Sequence, residues 1–549
     1  MLIQLNYCHE NNLELEMISR FLKRYGLTVI IVMILTSIFW WNFGDVLFAG
    51  NYGYDFQLMK FNFLLKKVRD DYVEPTDVTK LMDGAITGML EALDPHSVYI
   101  PAEEQTRISE QFAGEFEGIG VSFVIQNKIL TVISPIPGTP SDKLGIRAGD
   151  RIVEIDGQSA YGITNEQVFQ RLRGPKGSSV EVTIDRPGET ERLKFTIIRD
   201  KIPIHSVETS FMLDDKTGYI LLNQFTSNTS DELEEALLAL EKQGMKQLIF
   251  DLRGNSGGYL TQAVKVAEKF IPKSERIVYT KGRNPASEQS FYSNGSTHPN
   301  FDLIILLSHG SASASEIVAG AVQDLDRGLV VGSRSFGKGL VQTPLPFDDG
   351  SVVRLTTARY YTPSGRLIQR PYDKNVTDYY REAFEDEAAD TAKVEIDSTK
   401  ELYFTKAGRK VYGGGGIEPD VKLSSSYFTS YTPKLLNKRL FFEIAAEYST
   451  QHPEWKGDFN KFLREFQVSE EMLNGLIKLA EAKDIPFEQE NYLKDLPYIK
   501  ALLKAEIAQN LYNGRLYYYQ VRIKDDEQVV EAMKLFPQAR EIAALRKGK

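Results

Sequence analysis

The stretch 303-LIILLSHGSASASEIVAGAVQDLDRGLVVGSRSFGKGLVQ-342 decides how the chain is read. Residues 303–307 form an unbroken apolar run, short enough for a strand buried on both faces. A small, hydroxyl-rich turn follows. The helical segment after it opens with Ser313 and Glu316 in the S-x-x-E spacing of a capping box. A second apolar run, 328–332, precedes Lys338, which has a glycine on each side. Strand, turn, helix and strand in this order predict an α/β core. The pattern extends outward over 207–425. Strand-like GYILLNQF and KQLIFDLRG alternate with helices expected at 231–243, 258–270 and 314–326.

The same stretch carries candidate chemistry. A serine at a helix start is ordinarily a cap, but the first N–H groups of a helix are unsatisfied and carry partial positive charge. An oxyanion formed beside Ser313 could therefore be held by the N–H of Ala314. The serine needs a base. His309 lies close in sequence but has no orienting carboxylate at an evident spacing. Lys338, at a strand end among small residues, is the better candidate. A lysine acts as a base only when neutral, so burial or neighbouring positive charge must lower its pKa. Gln342, four residues on, could orient the amine. The glycine-rich turn DLRGNSGG, 251–258, follows one strand and precedes one helix. It lacks the phosphate-loop pattern, and a Gly257 N–H there would complement that of Ala314.

The rest of the sequence sets the context. With 549 residues the chain exceeds one core, and 42% apolar with 26% charged residues describes a globular protein. A formal charge of −10 with no basic stripe argues against a nucleic-acid partner. One cysteine, Cys8, excludes an intrachain disulfide, and six histidines in no ligand spacing argue against a zinc enzyme. Residues 25–43 are uncharged and almost wholly apolar, behind Arg20, Lys23 and Arg24. At 1.5 Å per residue they nearly cross a hydrocarbon layer of about 30 Å. The flanking charge predicts a cytoplasmic start, residues 1–24, and an exported body, with 25–45 as an uncleaved anchor or a signal segment. Residues 55–112 read as helical, broken at Pro75 with Asp77 as a cap. Residues 114–204 read as a β-rich unit of short alternating strands with one helix at 165–173. Residues 374–400 read as a surface excursion, and 430–549 as a helical extension without evident chemistry.

Taken together, these motifs resemble the carboxyl-terminal processing peptidases, also called tail-specific proteases. The serine-rich turn, the Asp–Arg pair and F-G-K-G-x-V-Q carry the resemblance. ALDPHSVYI, GIGV, DLRGNSGG, TTARYYTPSGRLIQ and GGGIEPD accompany them in family order over about 55–423. Ser256 departs from the proline frequent in relatives. The resemblance implies an α/β multidomain fold with a crotonase-like peptidase core and an inserted β-rich PDZ domain. It implies Ser313 as nucleophile, Lys338 as base, Gln342 as assistant, and Ala314 with Gly257 as oxyanion donors. The PDZ loop Gly118, Ile119, Gly120 and Val121 would hold a peptide carboxylate. Phe123 and, on the facing helix, Val168 and Leu172 would take apolar tail residues. Protein substrates with apolar carboxyl termini, a membrane partner through the amino-terminal segment, and no cofactor follow, in a bacterial envelope with the catalytic body in the periplasm. Oligomeric state and any adaptor stay open. Two other readings are a silent PDZ scaffold and an acyl-CoA enzyme on the same core; the intact serine, lysine and glutamine set and the PDZ unit weigh against them respectively.

Overall fold

A computed structural model describes residues 23–26, 28, 31–34, 36–37, 53–295, 297–298, 300–372, 376–381, 401–423 and 428–547. Most of the apolar segment 25–43, Cys8, and most of 374–400 lie outside these residues. Among the described residues, no helix is long and apolar enough to cross a membrane. The chain divides into two compact units, Met1–Gly88 and Met89–Lys549.

The first unit holds helix α1 (Tyr54–Asp71) and most of α2 (Val78–Glu91). Pro75 separates them, and Asp77 Oδ1 accepts from the N–H groups of Thr79 and Lys80, capping α2 as its sequence position suggests.

The second unit opens with β1 (Val98–Ile100) and α3 (Ala102–Ala113). The β-rich region follows: β2 (Glu115–Gly118), β3 (Val121–Gln126), β4 (Ile129–Pro135), the short α4 (Pro140–Lys143), β5 (Arg151–Ile155), β6 (Gln158–Ser159), α5 (Asn165–Leu172), β7 (Ser179–Asp185), β8 (Leu193–Ile198) and β9 (Asp200–Pro203). Its antiparallel sheet runs β3-β4-β5-β7-β8, with β6 on β5, and β2 pairs with β9 where the chain enters and leaves. Alternate residues such as Val180, Val182 and Ile184 enter a core shared with Leu130, Val132, Ile152 and Ile197.

The α/β core contains β10 (Val207–Met212), β11 (Thr217–Leu222), α6 (Thr229–Lys242), β12 (Gln247–Asp251), α7 (Leu260–Glu268), β13 (Arg276–Gly282), β14 (Gln289–Tyr292), β15 (Asp302–Leu307), α8 (Ala314–Asp324), β16 (Leu329–Gly332), β17 (Leu340–Pro346), β18 (Val352–Tyr361), β19 (Leu402–Phe404), β20 (Lys410–Tyr412) and β21 (Val421–Lys422). Its central sheet runs β10-β11-β12-β15-β16-β21, parallel except for β10. Side chains alternate between two cores. Ile220, Leu248, Phe250, Leu303 and Ile305 meet α6, α7 and α8 on one face. Tyr219, Ile249, Ile304, Leu306 and Val331 line the other. A second, antiparallel sheet, β1-β18-β13-β14 with β17 on β18, stands beside it.

The carboxyl-terminal helices are α9 (Tyr431–Asn437), α10 (Leu440–Gln451), α11 (Phe459–Glu465), α12 (Glu470–Ala482), α13 (Gln489–Tyr512), α14 (Arg515–Lys524), α15 (Glu527–Lys534) and α16 (Phe536–Lys547). The first five build a core of their own around Phe441, Phe462, Leu473 and Leu503. Helix α14 joins the two regions, with Val521 in that core and Ile523 on the central sheet, where Val529, Ala532, Phe536, Ala539 and Ile542 of α15 and α16 complete the cover of the second face. The α/β core is therefore a three-layer α/β/α arrangement whose back layer comes from the far end of the sequence.

One buried ion pair locks α8 to the segment that follows the second sheet. Arg366, just after β18, donates to Asp324 Oδ1 at 2.7 Å and Gln323 Oε1 at 2.6 Å, and both charged side chains are fully buried. Removing the arginine strands a buried carboxylate, which costs about 3–5 kcal/mol. Arg366→Leu should lower stability by that amount in guanidinium unfolding followed by circular dichroism. A loss under about 1 kcal/mol would show the pair to be dispensable.

Candidate active site

The turn after β15 must reverse direction sharply before α8, and its geometry falls on one residue. Ser313, at the helix start, has φ 54° and ψ −110°, a conformation that non-glycine residues rarely hold without surrounding support. The support comes from two buried side chains. Glu316, fully buried, accepts from Ser313 N–H at 2.8 Å and Lys338 N–H at 2.9 Å through one oxygen. Its other oxygen accepts from Gly337 N–H at 2.8 Å and Ser335 Oγ at 2.6 Å. The Tyr360 hydroxyl is shared between the carbonyls of Ser313 and Lys338. One carboxylate thus gathers the two N–H groups, and one phenol gathers the two carbonyls. Neither Glu316, beyond its place in the capping box, nor Tyr360 was singled out in the sequence. The signal available was that both lie inside the recognised motifs.

The DLRGNSGG turn packs directly against Ser313. Gly257 has φ 102°; a Cβ there would lie 2.8 Å from Ala312 O and Ser313 Cβ and 2.9 Å from Ala314 N. Gly258 is tighter still, with Phe225 O at 2.1 Å from its would-be Cβ. Asn255 organises the turn by donating to Leu222 O at 2.8 Å and accepting from Gly257 N–H at 2.9 Å. The Gly257 N–H thus already has an acceptor. Ala314 is the first helical residue, so its N–H has no carbonyl behind it in the helix. Arg253 of the same turn pairs with Asp251 and reaches Asp526 and Gln528 at the start of α15.

These elements enclose a cavity of about 840 Å³ lined by Ser313, Lys338, Gln342, Gly257 and Tyr360. Its far wall is α3, through Gln105, Ile108 and Phe112, together with Arg354 of β18. His309 is buried and is not among the lining residues. Burial pushes the Lys338 ammonium below its ordinary range, and the nearby Arg354 guanidinium pushes it further, against Glu316 and Asp94. His96 lies on the same wall, with Nε2 2.9 Å from the Tyr379 hydroxyl. Burial first and Lys338 second lower its pKa to about 4. Burial also pushes the Glu316 carboxyl up, against four donated hydrogen bonds that favour the anion. Gln342 Nε2 is buried with no hydrogen-bond partner among the described residues.

Comparison with known proteins gives the family. Peptidase family S41 matches residues 216–377 and a PDZ domain matches 131–186. The Carboxy-terminal-processing protease of Bartonella bacilliformis is 41% identical over 57% of this chain and 73% of its own length. The chain belongs to the carboxy-terminal processing protease family. It is accordingly a PDZ-bearing serine peptidase rather than a silent scaffold. The carboxy-terminal processing protease CtpA of Bacillus subtilis is 35% identical over 58% of this chain and 67% of its own. Among solved structures, a photosystem II D1 C-terminal processing protease is similar at 28% identity and a TM-score of 0.35, covering 68% of this chain and 88% of that one. The "Activating protease CtpB N-terminal domain" matches 51–104, and a family of unknown function matches 431–513.

The PDZ residues of this processing protease are placed as follows. Gly120 has φ 80°, and a Cβ there would fall 2.2 Å from Thr139 Oγ1, which itself bonds Gly120 O at 3.1 Å. Ile119, Val168 and Leu172 are buried in the domain core, whereas Val121 and Phe123 are only partly buried at its margin. Phe169, not singled out in the sequence, meets Phe123 edge-on with ring centroids 5.6 Å apart, across the gap between β3 and α5.

The glycine contact yields a direct test. In Gly257→Ala the new methyl presses on backbone atoms that cannot rotate aside. A displacement of roughly 1 Å at Ser313 costs about 10²-fold in rate. Hydrolysis of an unfolded protein substrate should fall by that factor; a rate within threefold of the parent would show that the turn tolerates a side chain.

Proposed function

We propose that this peptidase cleaves exported proteins at or near their carboxyl tails through a Ser313–Lys338 dyad, with the PDZ domain gripping the tail. The observation that carries the proposal is the cavity that Ser313 shares with a desolvated lysine, both anchored to Glu316 and Tyr360. Neutral Lys338 takes the proton from Ser313 Oγ, and the oxygen attacks the scissile carbonyl. The oxyanion is held by Ala314 N–H, with Gly257 N–H contributing as a proton shared with Asn255 Oδ1. Protonated Lys338 then gives its proton to the leaving amine, and water releases the acyl group. Gln342 Nε2 is a donor without an acceptor among the described residues. A neutral amine has a lone pair to receive it and an ammonium has none, so Gln342 favours the reactive form of Lys338.

The PDZ side of the proposal rests on β3, which pairs with β4 on one edge only. A peptide added there would place its carboxylate at Gly118–Val121 and apolar residues against Phe123 and Phe169, over the Val168 and Leu172 core. The apolar segment 25–43 would hold the enzyme in the inner membrane of a bacterial envelope, with the catalytic body outside the cytoplasm. Carbonate extraction should leave the full chain in the membrane fraction; its release would sink the anchor.

Ser313→Ala and Lys338→Ala should each reduce hydrolysis of an unfolded protein by at least about 10³-fold without unfolding the chain. Turnover close to the parent's in either variant would remove the dyad. The pH dependence gives an independent check. Only neutral Lys338 acts as base, so activity should rise with pH through its lowered pKa. Arg354 depresses that pKa, so Arg354→Gln should raise it and move the rising limb of kcat/KM to higher pH. An unmoved limb would mean that a different group titrates.

A further inference from the structure

β3 ends beside a second cleft, of about 360 Å³, that no part of the mechanism uses. One wall is the far half of β3 from Phe123 to Asn127, with Asn165 at the first turn of α5. The other wall belongs to the carboxyl-terminal helices: the turn Asn437, Lys438 and Arg439 between α9 and α10, then Phe442, Glu443 and Lys483. The two walls touch where Lys483 Nζ donates to Asn127 Oδ1 at 3.3 Å. Lys483 also faces Glu443 at 3.4 Å, so those two charges offset each other. Lys438 and Arg439 are exposed on the cleft and form no ion pair among the described residues. Arg439 sits in the left-handed region with φ 55°, which fixes the turn that presents both. The cleft therefore joins a strand-accepting edge to a wall with two exposed positive charges outside any contact ion pair, of which Arg439 also feels the partly buried Glu506 carboxyl at longer range.

We propose that this turn is a specificity element that reads the substrate upstream of its terminus and selects acidic side chains there. The inference rests on the PDZ reading above. A tail with its carboxylate at Gly118–Val121 runs antiparallel along β3 toward Gln126. At roughly 3.3 Å per residue it reaches the cleft about four to six residues before its end. Aspartate or glutamate at those positions meets Lys438 and Arg439, whereas lysine meets like charge. The tail is thus read twice, for apolar character at its end by the PDZ groove and for negative charge further back by the helical extension.

The test uses the full chain carrying Ser313→Ala and fluorescent ten-residue peptides with one apolar terminus. Residues four to six before the end are serine, glutamate or lysine. Binding is read by fluorescence anisotropy at low ionic strength. The glutamate tail should bind about three- to tenfold more tightly than the serine tail, and the lysine tail more weakly. Lys438→Glu with Arg439→Glu should reverse the order, an outcome that a purely structural role for the turn would not produce. The proposal is overturned if the three tails bind alike, or if their order survives charge reversal. If no tail binds at all, the PDZ reading has failed and this inference fails with it.

Discussion

The carboxylate of Glu316 is the point on which the site depends. It is fully buried, and it accepts four hydrogen bonds from a segment at the start of α8 and a loop after β16. A buried carboxylate is costly unless such bonds compensate it, and bonds to a charged acceptor are stronger than neutral ones. Compensation and positioning are here one arrangement, because the groups that stabilise the anion are the backbone N–H groups of Ser313 and of Lys338. Tyr360 repeats the device from the carbonyl side. The unusual backbone of Ser313 is held by the same contacts, so Ser313 and Lys338 are not placed independently.

Around that anchor the electrostatics follow from burial. Lys338 faces an apolar and aromatic surround that includes Phe336, His96 and Tyr380. Such walls disfavour charge, and they act on both titratable groups: the lysine and His96 each lose affinity for a proton. The histidine is therefore neutral over the working range and serves as packing beside the amine, bonded to Tyr379 rather than to Ser313. A second acid in reach of the lysine's charge besides Glu316, Asp94, is engaged by Ser97, Thr356 and the backbone of His96.

Much of this was legible in the sequence because it is local. The run 303–307, the turn and the helix behind Ser313 are consecutive, and their strand–turn–helix order survives intact in β15 and α8. Asp77 as a cap and the strands of the PDZ unit were legible for the same reason. What escaped is long-range. β17 contains Pro344 and Pro346, which argue against a strand, yet it pairs with β18 along its whole length. Nothing periodic in α3 indicates that Gln105 and Phe112 will wall a cavity opposite Lys338. The extension beyond residue 430 read as a single helical unit, because amphipathic helices look alike whether they face each other, as α9–α13 do, or a sheet, as α15 and α16 do. Gly257 was expected as an oxyanion donor, but nothing in the sequence indicates that its N–H is bound to Asn255.

The back layer of the central sheet sets an order of events during synthesis. Strands β11, β12, β15 and β16 emerge early, with Tyr219, Ile249, Ile304, Leu306 and Val331 pointing to a face that has no cover until residues 515–547 have been made. Arg253, which steadies the glycine-rich turn, waits for Asp526 and Gln528 in the same way. A nascent chain that already contains Ser313 and Lys338 therefore lacks the support of its own sheet. A chain cut before residue 515 would leave that sheet face and Arg253 without these partners, so the far end of the sequence is a structural part of the α/β core rather than an appendage to it.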